Sequence, residues 1–109
     1  MPSFRPHAAA GLMLSFLAFT SPARGADAAA RSLAATCFTC HGTDGRSAGG
    51  VPPSLAGRDR GELVQQMKDF KAGKRPATIM HQHAKGFTDE QIEQIAAYFA
   101  AQRQAAAAY

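Results

Sequence analysis

The segment Cys37-Phe38-Thr39-Cys40-His41 holds the residue types and the spacing that could do chemistry. The pattern C-x-x-C-H is the attachment signal of a c-type haem. Two thiols one helical turn apart can each form a thioether with one of the two vinyl-derived carbons of the macrocycle. The residue that follows, His41, then lies beneath the iron and can ligate it. Three other uses of the same residues compete. A thioredoxin-like redox pair also uses CxxC, but beside a βαβ pattern, which this sequence lacks. A zinc or copper site could recruit Cys37, Cys40, His41 and one of His81 or His83. A disulfide between Cys37 and Cys40 is the plain structural use, and it gives His41 no role.

Haem iron in an electron carrier takes a second axial ligand, and Met67, Met80, His81 and His83 are the candidates downstream. Met67 falls on the apolar stripe of an expected helix, where packing already explains it. Met80 falls in an expected loop, far enough beyond His41 for the chain to wrap a macrocycle. A thioether favours the reduced iron and raises the potential, so Met80 is the expected ligand. His81 and His83 are the alternatives, or else solvent-facing loop histidines. If Met80 is the ligand, His81 points elsewhere and could make the potential pH-dependent. A ligating imidazole usually donates its other N–H to a carbonyl. Pro52 and Pro53 lie in a loop well placed to present one. Spacing does not choose between them; Pro53 is carried as the expected carbonyl, beside the simpler reading of a rigid turn.

The elements that must position these groups occupy a chain of 109 residues with 46% hydrophobic and 18% charged residues. That length holds one small globular domain and excludes a multi-domain enzyme. Arg5 and His7 precede an apolar run from Ala8 to Phe19; Pro22 and the small residues Ala23, Gly25 and Ala26 follow. This describes a signal peptide over residues 1–25, cleaved at about 25/26, since the run falls short of the roughly 20 residues that cross a bilayer. No stable membrane anchor would remain after cleavage. The formal charge of +4 includes Arg5 and Arg24, which would leave with the leader. The mature chain is then only weakly basic, and a nucleic-acid partner is not expected. Export would place the protein in the periplasm, an oxidising compartment. The remaining domain, residues 26–104, has a thin core that calls for a staple, a metal or a cofactor.

Three helices are predicted and no strand. An alanine-rich one runs from about Ala28 to Phe38, into the cysteines. A second, about Gly61 to Ala72, places Leu63, Met67 and Phe70 on one face, with Gly73 behind it as a stop. A third, about Asp89 to Gln102, starts at a Thr88 cap with Gln91 completing a capping box. Ile92, Ile95, Ala96 and Phe99 form its apolar stripe. Both stripes read as ordinary core packing. Gly42 to Arg60 and Lys74 to Phe87 read as long loops, and two such loops in so small a domain imply something to fold around. Residues 105–109 read as a frayed alanine-rich tail.

The chain resembles the class I c-type cytochromes. The resemblance rests on Cys37–His41 with Gly42-Thr43-Asp44-Gly45, on Pro53-Ser54-Leu55-Ala56-Gly57, and on Arg75-Pro76-Ala77-Thr78-Ile79-Met80. More narrowly it is similar to the cytochrome subunit of flavocytochrome c sulfide dehydrogenase and to related short monohaem cytochromes. The run from Ala84 to Ile92 and Ala97-Tyr98-Phe99 extend the likeness over about Ala34 to Ala101. The resemblance implies an all-α fold, a small class I cytochrome c fold of about three main helices and long loops around one covalent haem c. It implies Cys37 and Cys40 as thioether residues, His41 as proximal ligand and Met80 as distal ligand. It also implies single-electron transfer rather than catalysis, with a flavoprotein sulfide dehydrogenase subunit as redox partner. A stand-alone carrier to oxidases or reaction centres is the alternative, followed by a periplasmic metal-binding module without haem. His81-Gln82-His83 departs from the family pattern, which carries a residue like arginine soon after the methionine. Lys68, Lys71, Lys74, Arg75 and Lys85 could form a weakly basic ring that steers an acidic partner, or be merely solvated.

Overall fold

The protein is described here by a computed structural model covering residues 1–3 and 22–103, with side chains from residue 27 onward in the first helix. Most of the expected leader and the tail at 105–109 lie outside the described residues. The described residues form an all-α fold with five α-helices: α1 (Pro22–Ala35), α2 (Phe38–His41), α3 (Arg60–Lys71), α4 (Met80–Lys85) and α5 (Asp89–Ala100). A 3₁₀ turn, Thr43–Gly45, follows α2.

Proline suits the first turn of α1 and alanine carries the helix onward. The backbone of α1 begins before the expected cleavage bond at 25/26. The helix stops at Ala35 instead of running into the cysteines as predicted. Thr36 Oγ1 donates back to the Leu33 carbonyl at 2.8 Å, a local bond that competes with continuation of the helix. Cys37 N then bonds to Ala34 O at 2.9 Å, and the chain restarts as α2.

α3 and α5 lie within a residue or two of their predicted spans. Asp59 caps α3 by accepting the Glu62 N–H at 2.8 Å. Thr88 and Gln91 form the predicted reciprocal box, with N–H to side-chain oxygen distances of 3.2 and 2.9 Å. α4 was predicted as loop. It spans six residues, and Ile79 before it offers no side-chain cap. Periodicity cannot register so short a piece; packing against α3 and the complete burial of Ala84 hold it.

The core is Ala34, Leu63, Ile95, Ala96 and Phe99, where α1, α3 and α5 meet. Phe38, the first of the two residues between the cysteines, turns its ring to this core. Its centroid lies 6.3 Å from those of both Tyr98 and Phe99. The Tyr98 hydroxyl donates to the Asp44 carboxylate, which also faces Arg46 Nη1 at 3.5 Å. α2 and the turn behind it are therefore bound to α5 by rings on one side and a polar cluster on the other.

Two outcomes follow for unfolding of the purified protein. Phe99→Ala should cost about 3–5 kcal/mol and Thr88→Ala about 1 kcal/mol by denaturant titration. Burial first, and then the bond to the Asp44 carboxylate, raise the Tyr98 pKa above its usual value. The folded state thus holds the phenol proton more tightly than the unfolded chain. That stability is present below about pH 10 and lost as pH rises further, so Tyr98→Phe should flatten the alkaline fall in stability.

Candidate functional site

A helix–turn–helix step places the two cysteines and the histidine on one wall of a cavity of about 500 Å³. Cys37 precedes α2, Cys40 and His41 lie in its only turn, and all three line the cavity. Both thiols are free. Burial raises the Cys37 pKa, against a smaller lowering by its contact with Thr36, so the thiol is held protonated more firmly than usual.

His41 is 8% exposed, the one buried polar side chain in the core region among the described residues. Its Nδ1 lies 2.8 Å from the Pro53 carbonyl oxygen. A carbonyl only accepts, so Nδ1 carries the proton and a neutral ring keeps its lone pair on Nε2. The contact falls on Pro53, not Pro52.

Backbone geometry makes that contact possible. The chain must reverse directly after His41 to return the Pro53 segment to the ring. Gly42 has φ +83, and a Cβ there would sit 2.0 Å from the Arg46 carbonyl oxygen. Gly45 has φ +79, and a Cβ there would meet the Phe99 ring at 2.7 Å. Leu55 N and Ala56 N both bond to Gly45 O, at 2.8 and 3.1 Å, and Gly57 N bonds to Phe99 O at 2.9 Å. These bonds fasten the loop that carries Pro53 to the turn behind the histidine and to α5.

Met80, the first residue of α4, lines the same cavity. So do Met67 and His83, whereas His81 is not among the described residues that border it. The apolar stripes of α3 and α5 do more than pack on each other. Met67 and Phe70, and from α5 Ile95, Ala96 and Phe99, also face the cavity. Apart from Met67, which was also a candidate ligand, the sequence assigned those residues to core packing, because periodicity marks a buried face without saying what covers it. It also missed Arg58 and Val51 on the cavity wall, which carry no spacing signal.

The wall is mostly apolar, with a few polar groups, and its size lies in the range of ligand sites. Two thiols, an oriented imidazole and a thioether on one cavity are a donor set that would fit a c-type haem. Among the described residues no three His, Cys, Asp or Glu side chains gather as a metal-ligand set. Of the basic residues, Lys71 is engaged, with its Nζ 2.7 Å from Phe87 O and 3.2 Å from Asp89 Oδ1.

A family model described as cytochrome C oxidase, cbb3-type, subunit III matches residues 24–99. The cytochrome subunit of sulfide dehydrogenase of Chlorobaculum tepidum is 46% identical over 67 residues, covering 62% of this chain and 60% of that protein. Cytochrome c4 of Pseudomonas aeruginosa is 42% identical, over 74% of this chain and 40% of its own length. Cytochrome c-554(548) of Halomonas halodenitrificans is 39% identical, over 62% of this chain and 84% of its own. The chain thus spans 60% and 40% of the lengths of the first two relatives, less than two thirds of each. A solved cytochrome c4 of Acidithiobacillus ferrooxidans superposes with a TM-score of 0.58 at 37% identity, over 67% of this chain and 49% of that one.

The reversal at Gly42 yields a test. Gly42→Ala forces a Cβ into backbone at a left-handed φ, and it should cost well over about 1 kcal/mol in stability. Gly49→Ala, also at positive φ but with open space around it, should cost less by the same unfolding measurement.

Proposed function

The chain belongs to the cytochrome c family whose model is described as cytochrome C oxidase, cbb3-type, subunit III, and from that membership we propose that it is a periplasmic, monohaem carrier of single electrons. We propose further that it serves as the haem subunit of a flavoprotein sulfide dehydrogenase. The observation that carries the carrier reading is the meeting of Cys37, Cys40, His41 and Met80 on one cavity, with His41 Nδ1 tied to Pro53. The likeness to a sulfide dehydrogenase subunit supports the partner.

In this reading Cys37 and Cys40 fasten one haem c by thioethers. A bound haem would supply an iron that changes by one electron between ferric and ferrous. His41 offers Nε2 to that iron while Pro53 holds the ring's other nitrogen, fixing both tautomer and orientation. Met80 offers a thioether, which favours the reduced state. His41 and Met80 would both hold a bound haem, which would leave the chain a carrier of electrons, with the chemistry supplied by the cofactor. The apolar stripes of α3 and α5 exclude water from the rest of the cavity, which raises the potential further.

The leader pattern in residues 1–25 supports export, with a mature domain over 26–104. Among the described residues no helix is long and apolar enough to cross a membrane. The match over 84% of cytochrome c-554(548) favours a second reading, a stand-alone carrier.

Visible and near-infrared spectra of the purified protein test covalent haem and methionine ligation together. Met80→Ala should abolish the methionine–iron band in the near infrared; its retention would move the ligand to Met67. Co-purification separates the two readings, since a haem subunit should bring a flavin-containing chain and a stand-alone carrier should not.

A further inference from the structure

Two imidazoles border the cavity, and they differ in what already holds them. His41 is buried, and its Nδ1 is tied to the Pro53 carbonyl. His83 is exposed, and among the described residues its ring has no hydrogen-bond or ion-pair partner. His81, on the same short helix, is not among the described residues that border the cavity.

His83 shares α4 with Met80. The two stand at i and i+3, neighbours on one helix surface, and both border the cavity. Met67, the other thioether on the wall, lies inside a twelve-residue helix capped by Asp59. α4 has six residues, no side-chain cap at Ile79 and a single buried residue, Ala84. Few contacts therefore oppose a small turn of α4 that carries the Met80 thioether outward and the His83 ring inward. The two donors also differ in kind. A thioether is soft and favours ferrous iron, whereas an imidazole nitrogen is harder and suits ferric iron better.

We infer that His83 is a second distal ligand, which takes the place of Met80 at the iron of a bound haem when the thioether leaves, and is favoured in the ferric state. The inference rests on the haem reading proposed above. One sulfur–iron bond breaks and one nitrogen–iron bond forms. The neutral ring brings its own lone pair, so the exchange itself consumes no electron and releases no proton. His41 keeps its place throughout, held by Pro53. With imidazole on both faces the ferric state is favoured over the ferrous, so the exchange lowers the potential.

The experiment uses the haem-loaded protein and reads the spin state and ligand set of the ferric form by electron paramagnetic resonance and visible spectra. Met80→Ala should stay six-coordinate and low-spin, with the signature of two imidazoles. Adding His83→Ala to it should give a high-spin iron, whereas adding His81→Ala should leave it low-spin. Free imidazole should bind Met80→Ala at least about tenfold more weakly than it binds the Met80→Ala/His83→Ala protein, because the position is already filled. A high-spin Met80→Ala protein, a low-spin Met80→Ala/His83→Ala protein or a high-spin Met80→Ala/His81→Ala protein each overturns the inference and leaves the haem reading standing. If Met80→Ala fails to load haem, the native ferric protein decides: a minor two-imidazole signal that His83→Ala removes supports the inference, and its absence overturns it. A parent protein without covalent haem overturns the haem reading itself, and this inference with it.

Discussion

The bond between His41 Nδ1 and the Pro53 carbonyl is the contact on which the rest of the structure depends. It joins the one buried polar side chain among the described residues to a loop with no regular structure of its own. The ring cannot be held without the loop, and the loop cannot reach the ring unless the chain reverses at Gly42 and Gly45. That reversal is then fastened to α5 through Gly57 N and Phe99 O. A short sequence of backbone bonds thus links the orientation of one imidazole to the packing of the last helix.

The same economy appears in the core. Leu63, Ile95, Ala96 and Phe99 are at once the residues that join α3 to α5 and the residues that face the cavity. In a larger domain these tasks fall to different layers. Here one layer of side chains does both, so whatever fills the cavity also completes the core. Phe38 makes the arrangement two-sided. Its neighbours Cys37 and Cys40 face the cavity, while its own ring packs on Tyr98 and Phe99.

What could be read from the sequence follows from the range of the forces involved. The capping box at Thr88 and Gln91 is a local device, and α5 begins where it says. The spacing of Leu63, Met67 and Phe70 likewise gave α3. The C-x-x-C-H segment announced its chemistry because the chemistry itself requires that spacing, and the all-α expectation is met among the described residues. Long-range facts were not legible. The early stop of α1 depends on one hydroxyl turning back, and the choice of Pro53 over Pro52 depends on where a loop lands after five residues of positive φ, Gly42, Asp44, Gly45, Gly49 and Gly50. Arg75 stood in a recognisable run, but that its guanidinium lies over the Phe70 ring is a property of the folded chain.

Helix α4 has a consequence for motion. It is a six-residue piece without a side-chain cap, and its one fully buried residue is Ala84, packed where α4 meets α3. Alone, such a segment has no helical stability in water. It exists by leave of its neighbour α3, so its amides should exchange with solvent ahead of those of α5. The two donors proposed above thus stand on unequal footings: Met80 at the uncapped start of a six-residue helix, and His41 buried with its Nδ1 held by the Pro53 carbonyl.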